Sequence, residues 1–123
     1  MNCIFCKIIK GEIPSYTFYE DDIVKVFLDV NPNEEGHTLI IPKKHYTNIE
    51  DIPLETLTHI NKISKDIYQL LKTKLKPDGL SLVQNNGSIQ EVKHYHLHLI
   101  PHYLNKTKKK TIKEIYEKLK KGL

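Results

Sequence analysis

The chain has 123 residues and a formal net charge of +4, and with no arginine present all 19 basic residues are lysine. That length suits one domain, residues 1–123, built on a single core. No apolar run approaches the roughly 18 residues of a membrane span and no signal-peptide h-region opens the chain, so a soluble cytoplasmic protein with no membrane partner is expected.

Cys3 and Cys6 are the only cysteines, spaced CxxC. A redox pair, half a zinc site and two buried thiols are all open readings. No strand precedes Cys3, as a thioredoxin-like motif would require, so half a zinc site is preferred. Ile4, Phe5, Ile8 and Ile9 recur at helical spacing. They predict a short helix over 3–10, ended by Gly11 with Pro14 beyond.

Residues 16–20 and 23–29 read as two strands joined by a tight turn at Asp21-Asp22. Asp29 ends the second strand, where its carboxylate either binds hydroxyls or caps the loop 30–36. A third strand spans 37–42. Leu54, Leu57, Ile60, Ile63, Ile67, Leu70, Leu71 and Leu75 predict one long helix over 51–76, with this stripe in the core and His59 on the surface. Residues 80–84 form a fourth strand, and the amide-rich turn 85–90 either serves an anion with N–H donors or is a plain turn. Ile112, Ile115, Tyr116 and Leu119 mark a basic C-terminal helix at about 110–121. Lys106, Lys108, Lys109, Lys110, Lys118, Lys120 and Lys121 read as a solvated surface rather than a nucleic-acid patch, since bidentate readout favours arginine.

The run His94-Tyr95-His96-Leu97-His98-Leu99-Ile100-Pro101 alternates with period two. Alternation of this kind places Tyr95, Leu97 and Leu99 in a core and the three histidines on the opposite face. Neighbouring histidines on that face lie about 6.5–7 Å apart at a rise of roughly 3.3 Å per residue. Pro101 cannot donate to a ladder and is expected at the strand's end or at an edge. Three imidazoles so placed either bind metal or perform covalent catalysis.

The triad resembles the signature of the histidine triad (HIT) family, nucleoside-phosphoramidase-like branch. The similarity extends through Ile4-Phe5-x-Lys7-Ile8-Ile9, Glu12-Ile13-Pro14, Glu20-Asp21-Asp22, Phe27-x-Asp29 and Ile40-Ile41-Pro42-Lys43-Lys44-His45. It implies an α+β fold: an antiparallel sheet of about five strands, one long helix and short terminal helices. It further implies that His96 attacks the α-phosphate of a purine nucleotide derivative and that His98 donates to a phosphate oxygen. By the same resemblance Asp29 holds ribose hydroxyls, Asn85 and Gln90 lie at the nucleotide, and Ile4, Phe5, Ile8, Phe27 and Val30 line the purine slot. His37 is expected in the support of the site. Cys3, Cys6, His45 and His94 match the ligands of a structural zinc ion, and a homodimer through the long helix and an edge strand is expected.

Three departures bear on activity. Only Ser88-Ile89 separates Gly87 from Gln90, Glu91 replaces a hydroxyl residue, and His102 replaces an arginine. A carboxylate near phosphate repels it, so Glu91 faces away or lowers activity on charged leaving groups. A nucleotidyl hydrolase or transferase is therefore the leading reading, and a nucleotide-binding or regulatory module with little turnover is the alternative.

Overall fold

The computed structural model describes residues 2–106 and 110–122, so Lys108 and Lys109 lie outside the described residues. Five strands, β1 Thr17–Glu20, β2 Val24–Leu28, β3 Thr38–Pro42, β4 Gly79–Val83 and β5 Leu97–His102, form one antiparallel sheet. Their order across the sheet is β1-β2-β3-β5-β4. Three α-helices, α1 Ile4–Ile9, α2 Leu54–Leu75 and α3 Ile112–Leu119, and one short 3-10 turn at Gly87–Ile89 complete the described chain. The α+β architecture is the expected one. No helix among the described residues is long and apolar enough to cross a membrane.

Each face of the sheet has its own apolar cluster. Val24, Val26, Leu28, Ile40, Tyr95, Leu97 and Leu99 pack with Ile60, Ile63, Ile67, Leu70 and Leu71 of α2 and with Ile115 and Leu119 of α3. Phe27, Leu39 and Ile41 pack on the other side with Cys3, Phe5 and Ile8. Period-two alternation in β2, β3 and the triad segment sorts side chains between these layers. The α2 stripe is core except at its start, where Leu54 in the first turn is 79% exposed.

Several boundaries move for identifiable reasons. Helix α2 begins at Leu54 rather than 51, because the Asp51 carboxylate caps a turn by accepting the Thr47 and Asn48 N–H groups. It stops where Lys76 enters the left-handed region at φ 54. Gly36 packs on the end of α2, where an added Cβ would stand 2.5 Å from Leu75 Cδ1, and its φ of +84 is a backbone conformation that favours glycine.

The most consequential shift is in the triad. Regular strand β5 starts at Leu97, so His94, Tyr95 and His96 precede the ladder and only His98 lies within it. Pro101, expected to end the strand or sit at an edge, lies inside β5 opposite Leu80. The His102 carbonyl accepts the Asp78 N–H, so His102 points its backbone at the β4 side. Pro101 therefore points its donorless nitrogen the other way, past the last β3 pair at Thr38–Leu99.

His59, expected on the surface, joins α2 to the β1–β2 turn. Its Nε2 bonds Asp21 Oδ2 at 2.7 Å, and the Tyr19 hydroxyl donates to the same oxygen at 2.8 Å. Asp21 Oδ1 accepts the Ile23 and Val24 N–H groups. Burial raises the Asp21 pKa, yet the bonds from His59, Val24, Tyr19 and Ile23 outweigh it and bring it down to about 2. Asp21→Ala removes all of these acceptors, and urea denaturation at neutral pH is expected to show a loss of about 1.5–3 kcal/mol. Because the folded pKa is depressed, this stabilisation is complete above 3.8 and is lost as pH falls through about 2. A variant as stable as the parent would show that the lock contributes nothing.

Candidate active site and metal centre

The histidine face of the sheet holds two adjoining constellations. In the first, Cys3 caps α1, Cys6 lies one turn on, His45 follows β3, and His94 precedes β5. One ligand atom from each falls within 4.8 Å of all the others. Cys3 Sγ is 3.4 Å and Cys6 Sγ 3.6 Å from His94 Nδ1. His45 Nδ1 is 3.3 Å from Cys6 Sγ and 3.1 Å from His94 Nδ1.

These separations suit zinc. Bond lengths of about 2.3 Å to sulfur and about 2.0–2.1 Å to nitrogen give tetrahedral edges of about 3.6 Å for S–N and about 3.3 Å for N–N. The proton arrangement agrees. His94 Nε2 is 2.8 Å from the Pro42 carbonyl, which can only accept, so Nε2 carries the proton and Nδ1 offers its lone pair to the cluster. Burial, followed by the influence of His45 and His96, brings the His94 pKa down to about 4 against the Pro42 bond, which keeps the ring neutral. Burial and then Cys3 push the Cys6 thiol up.

The second constellation begins two residues along. His96 is buried, with Nδ1 2.8 Å from the His94 carbonyl oxygen. That oxygen can only accept, so Nδ1 is protonated, and in the neutral form of the ring Nε2 is bare. Phe5 fixes the ring from α1, standing edge-on to His96 at 5.0 Å and to His94 at 5.8 Å between centroids. Phe5 was expected in a purine slot; its contact with both histidines has no signature in the sequence.

His98 is set by a relay. The Asn33 N–H donates to His37 Nδ1 at 3.0 Å, so His37 carries its proton on Nε2. His37 Nε2 lies 2.9 Å from His98 Nδ1 and donates there, which places the His98 proton on Nε2 as an available donor. Burial, then His96 and His37, lower the His98 pKa to about 4, and burial lowers that of His37, so both rings are neutral at physiological pH.

Asp29, His37 and His98 also bring possible ligand atoms within 4.8 Å of one another. A metal on His37 Nε2 would force the ring proton onto Nδ1, against the Asn33 N–H. This trio is a hydrogen-bond relay rather than an ion site. Of the two readings left open by the sequence, Asp29 takes the capping one. Its Oδ1 caps the loop by accepting the Asn31 N–H at 2.8 Å, while Oδ2 lies 3.6 Å from His37 Nε2.

The remaining residues divide. Phe5, Ile8 and Phe27 are buried in the α1 layer, whereas Ile4 is 47% and Val30 63% exposed. Asn85 is partly buried two residues beyond Val83, the partner of His98. Gln90 is placed differently from what a ligand contact needs. Its Nε2 donates to the Thr47 and Val92 carbonyls and its Oε1 accepts the Gly87 N–H, so the whole amide is spent on shaping the loop. Gly87 turns that loop at φ +85, and the Lys93 ammonium closes it on the Gly87 carbonyl. Glu91 is exposed, and His102 bonds Ser81 at 2.7 Å across the β4–β5 pair.

Comparison with known proteins agrees with this geometry. The family model "HIT domain" matches residues 10–105. An uncharacterised HIT-like protein of Methanocaldococcus jannaschii is 50% identical over 103 residues, 82% of this chain and 79% of the relative. The adenosine 5'-monophosphoramidase of Saccharomyces cerevisiae is 50% identical over 101 residues, 80% of this chain and 61% of the relative. The crystal structure of a zinc-bound histidine triad family protein from Mycobacterium smegmatis superposes with a TM-score of 0.91 at 31% identity, covering 99% of this chain and 93% of that one. With the triad, the sheet order and these matches in agreement, the chain belongs to the histidine triad family.

Proposed function

We propose that this chain acts as a single HIT domain, hydrolysing or transferring at the α-phosphate of purine nucleotide derivatives, with nucleotide phosphoramidates as the favoured class. The observation that carries the reading is the pair of oppositely protonated imidazoles. His96 presents a bare Nε2, and His98 presents an Nε2–H held by His37 and Asn33. A nucleophile beside a preset donor is what attack on phosphorus needs. The activity named for the yeast relative supports the phosphoramidate class.

In this mechanism Asp29 holds the ribose hydroxyls, Asn85 contacts the α-phosphate, and the base lies against the apolar group of Ile4, Phe5, Ile8, Phe27 and Val30. The exposure of Ile4 and Val30 supports that placement, because a planar base needs uncovered apolar surface. His96 Nε2 attacks phosphorus in line. The new P–N bond forms as the bond to the leaving group breaks, and the leaving group keeps the electron pair and takes a proton from solvent. His98 donates to the phosphoryl oxygen as charge grows there. Water then attacks phosphorus, the P–N bond breaks, and His96 is regenerated with release of the nucleoside monophosphate.

Cys3, Cys6, His45 and His94 would hold zinc in a structural role. The donor set is closed and contains no position for substrate. Bound there, the ion would stiffen the segment carrying His96 and supply no reaction step. We further place a homodimer interface along α2 and edge strand β4, where Leu54, Leu82 and Val83 are exposed. Static light scattering is expected to give twice the chain mass, and a monomer at micromolar concentration would contradict it.

Variants along the triad separate the roles. With an adenosine phosphoramidate and chromatography for AMP, His96→Ala is expected to lose turnover while nucleotide binding and zinc persist. His98→Ala should turn over about 10²–10³-fold more slowly with its metal intact, the usual cost of one donor. His94→Ala and Cys3→Ala should lose zinc and stability together, since binding to a site made by folding is folding free energy. Parental turnover in His96→Ala, or zinc loss from that variant, would contradict the scheme. AMP absent from the parent protein with nucleotide still bound would favour a binding module.

A further inference from the structure

Two thiols, two imidazoles and a stretch of chain without ladder bonds meet at one place. Cys3 accepts the Cys6 N–H on its sulfur at 3.4 Å, which seats the thiols side by side at the start of α1. Both cysteines are free; Cys3 is buried and Cys6 partly exposed. A small oxidant therefore reaches Cys6, with Cys3 beside it.

We propose that Cys3 and Cys6 are a reversible oxidation site, at which hydrogen peroxide converts the pair to a disulfide, expels the zinc ion and loosens the segment that carries His96. The proposal rests on the zinc reading given above. The Cys6 thiolate attacks a peroxide oxygen; an S–O bond forms, the O–O bond breaks and hydroxide leaves, giving a sulfenic acid. The Cys3 thiolate attacks that sulfur; the S–S bond forms, the S–O bond breaks and a second hydroxide leaves. Each sulfur gives up one electron, the peroxide gains two, and two solvent protons neutralise the hydroxides. Only His45 and His94 then face the ion. Half of a closed tetrahedral set does not retain it.

The link to His96 lies in what else holds the segment. The β5 ladder begins at Leu97, so residues 94–96 lean on the Tyr95 N–H bond to the Tyr46 carbonyl and the His94 Nε2–H bond to the Pro42 carbonyl. Both bonds run toward the chain around the end of β3. The connection to α1 is Phe5 packed against His94 and His96, together with the two sulfurs. Release of the ion removes the sulfur half of that connection and leaves Phe5 as the contact from α1 onto the segment that carries His96.

The test uses the full chain, loaded with zinc and treated with hydrogen peroxide. Zinc released to a chromogenic chelator, remaining thiols and intact mass are followed together, with Tyr95 amide exchange as the structural readout. One zinc released per two thiols lost, in a single phase, is the expected result. The product should be lighter than the reduced metal-free chain by two hydrogens, exchange at Tyr95 should quicken, and a dithiol reductant with added zinc should restore the metal and turnover. Retention of zinc and thiols under excess peroxide would overturn the proposal, as would oxidation to sulfinate or sulfonate without a disulfide. Failure of the reduced chain to take up zinc at all would instead remove the metal reading, and this inference with it.

Discussion

The 2.8 Å hydrogen bond from His96 Nδ1 to the His94 carbonyl is the constraint on which the site depends. A backbone carbonyl has no second role to play, so the tautomer of His96 is dictated by covalent neighbours two residues away. That oxygen is available because His94 lies before the ladder. In regular antiparallel pairing its carbonyl would be engaged with an adjacent strand or turned from the ring. The late start of β5 thus creates the acceptor, and it also leaves a segment in need of support.

Support arrives from both faces. Tyr95, Leu97 and Leu99 anchor one side in the core under α2, while α1 brings Phe5 and two thiols against the other. Burial on both faces also lowers the pKa of His98 to about 4. A charged imidazole would repel its neighbouring rings and disrupt the His37 relay; a neutral one keeps the direction of donation from Asn33 through to the site. Fold stability and the preset proton arrangement here share one physical origin, the exclusion of water from a histidine-lined sheet face.

Much of this was legible in the sequence. Period two assigned the triad's faces, because side-chain direction in extended chain depends only on parity. Spacing alone could not complete the metal set: His45 and His94 lie 39 and 91 residues from their cysteine partners, so CxxC left three readings until the family resemblance supplied the rest. Ladder boundaries were not legible either. Pro101 sits inside a strand because β3 has already ended beside it, a property of the neighbour rather than of proline. The His37 relay depends on a backbone N–H at Asn33, which every residue but proline offers, and the His59–Asp21 lock joins positions with no local pattern between them. Gln90 shows the converse: the family resemblance implied a ligand contact, but folding uses its whole amide.

The central claim is that backbone and relay set the imidazole protons before any substrate arrives. Nitrogen-15 NMR of the histidine side chains in the free, reduced protein at neutral pH reads those protons directly. The account predicts a proton on Nδ1 and a bare Nε2 for His96, with His37 and His98 both protonated on Nε2. A His96 ring protonated on Nε2, or a His98 ring protonated on Nδ1, would contradict it.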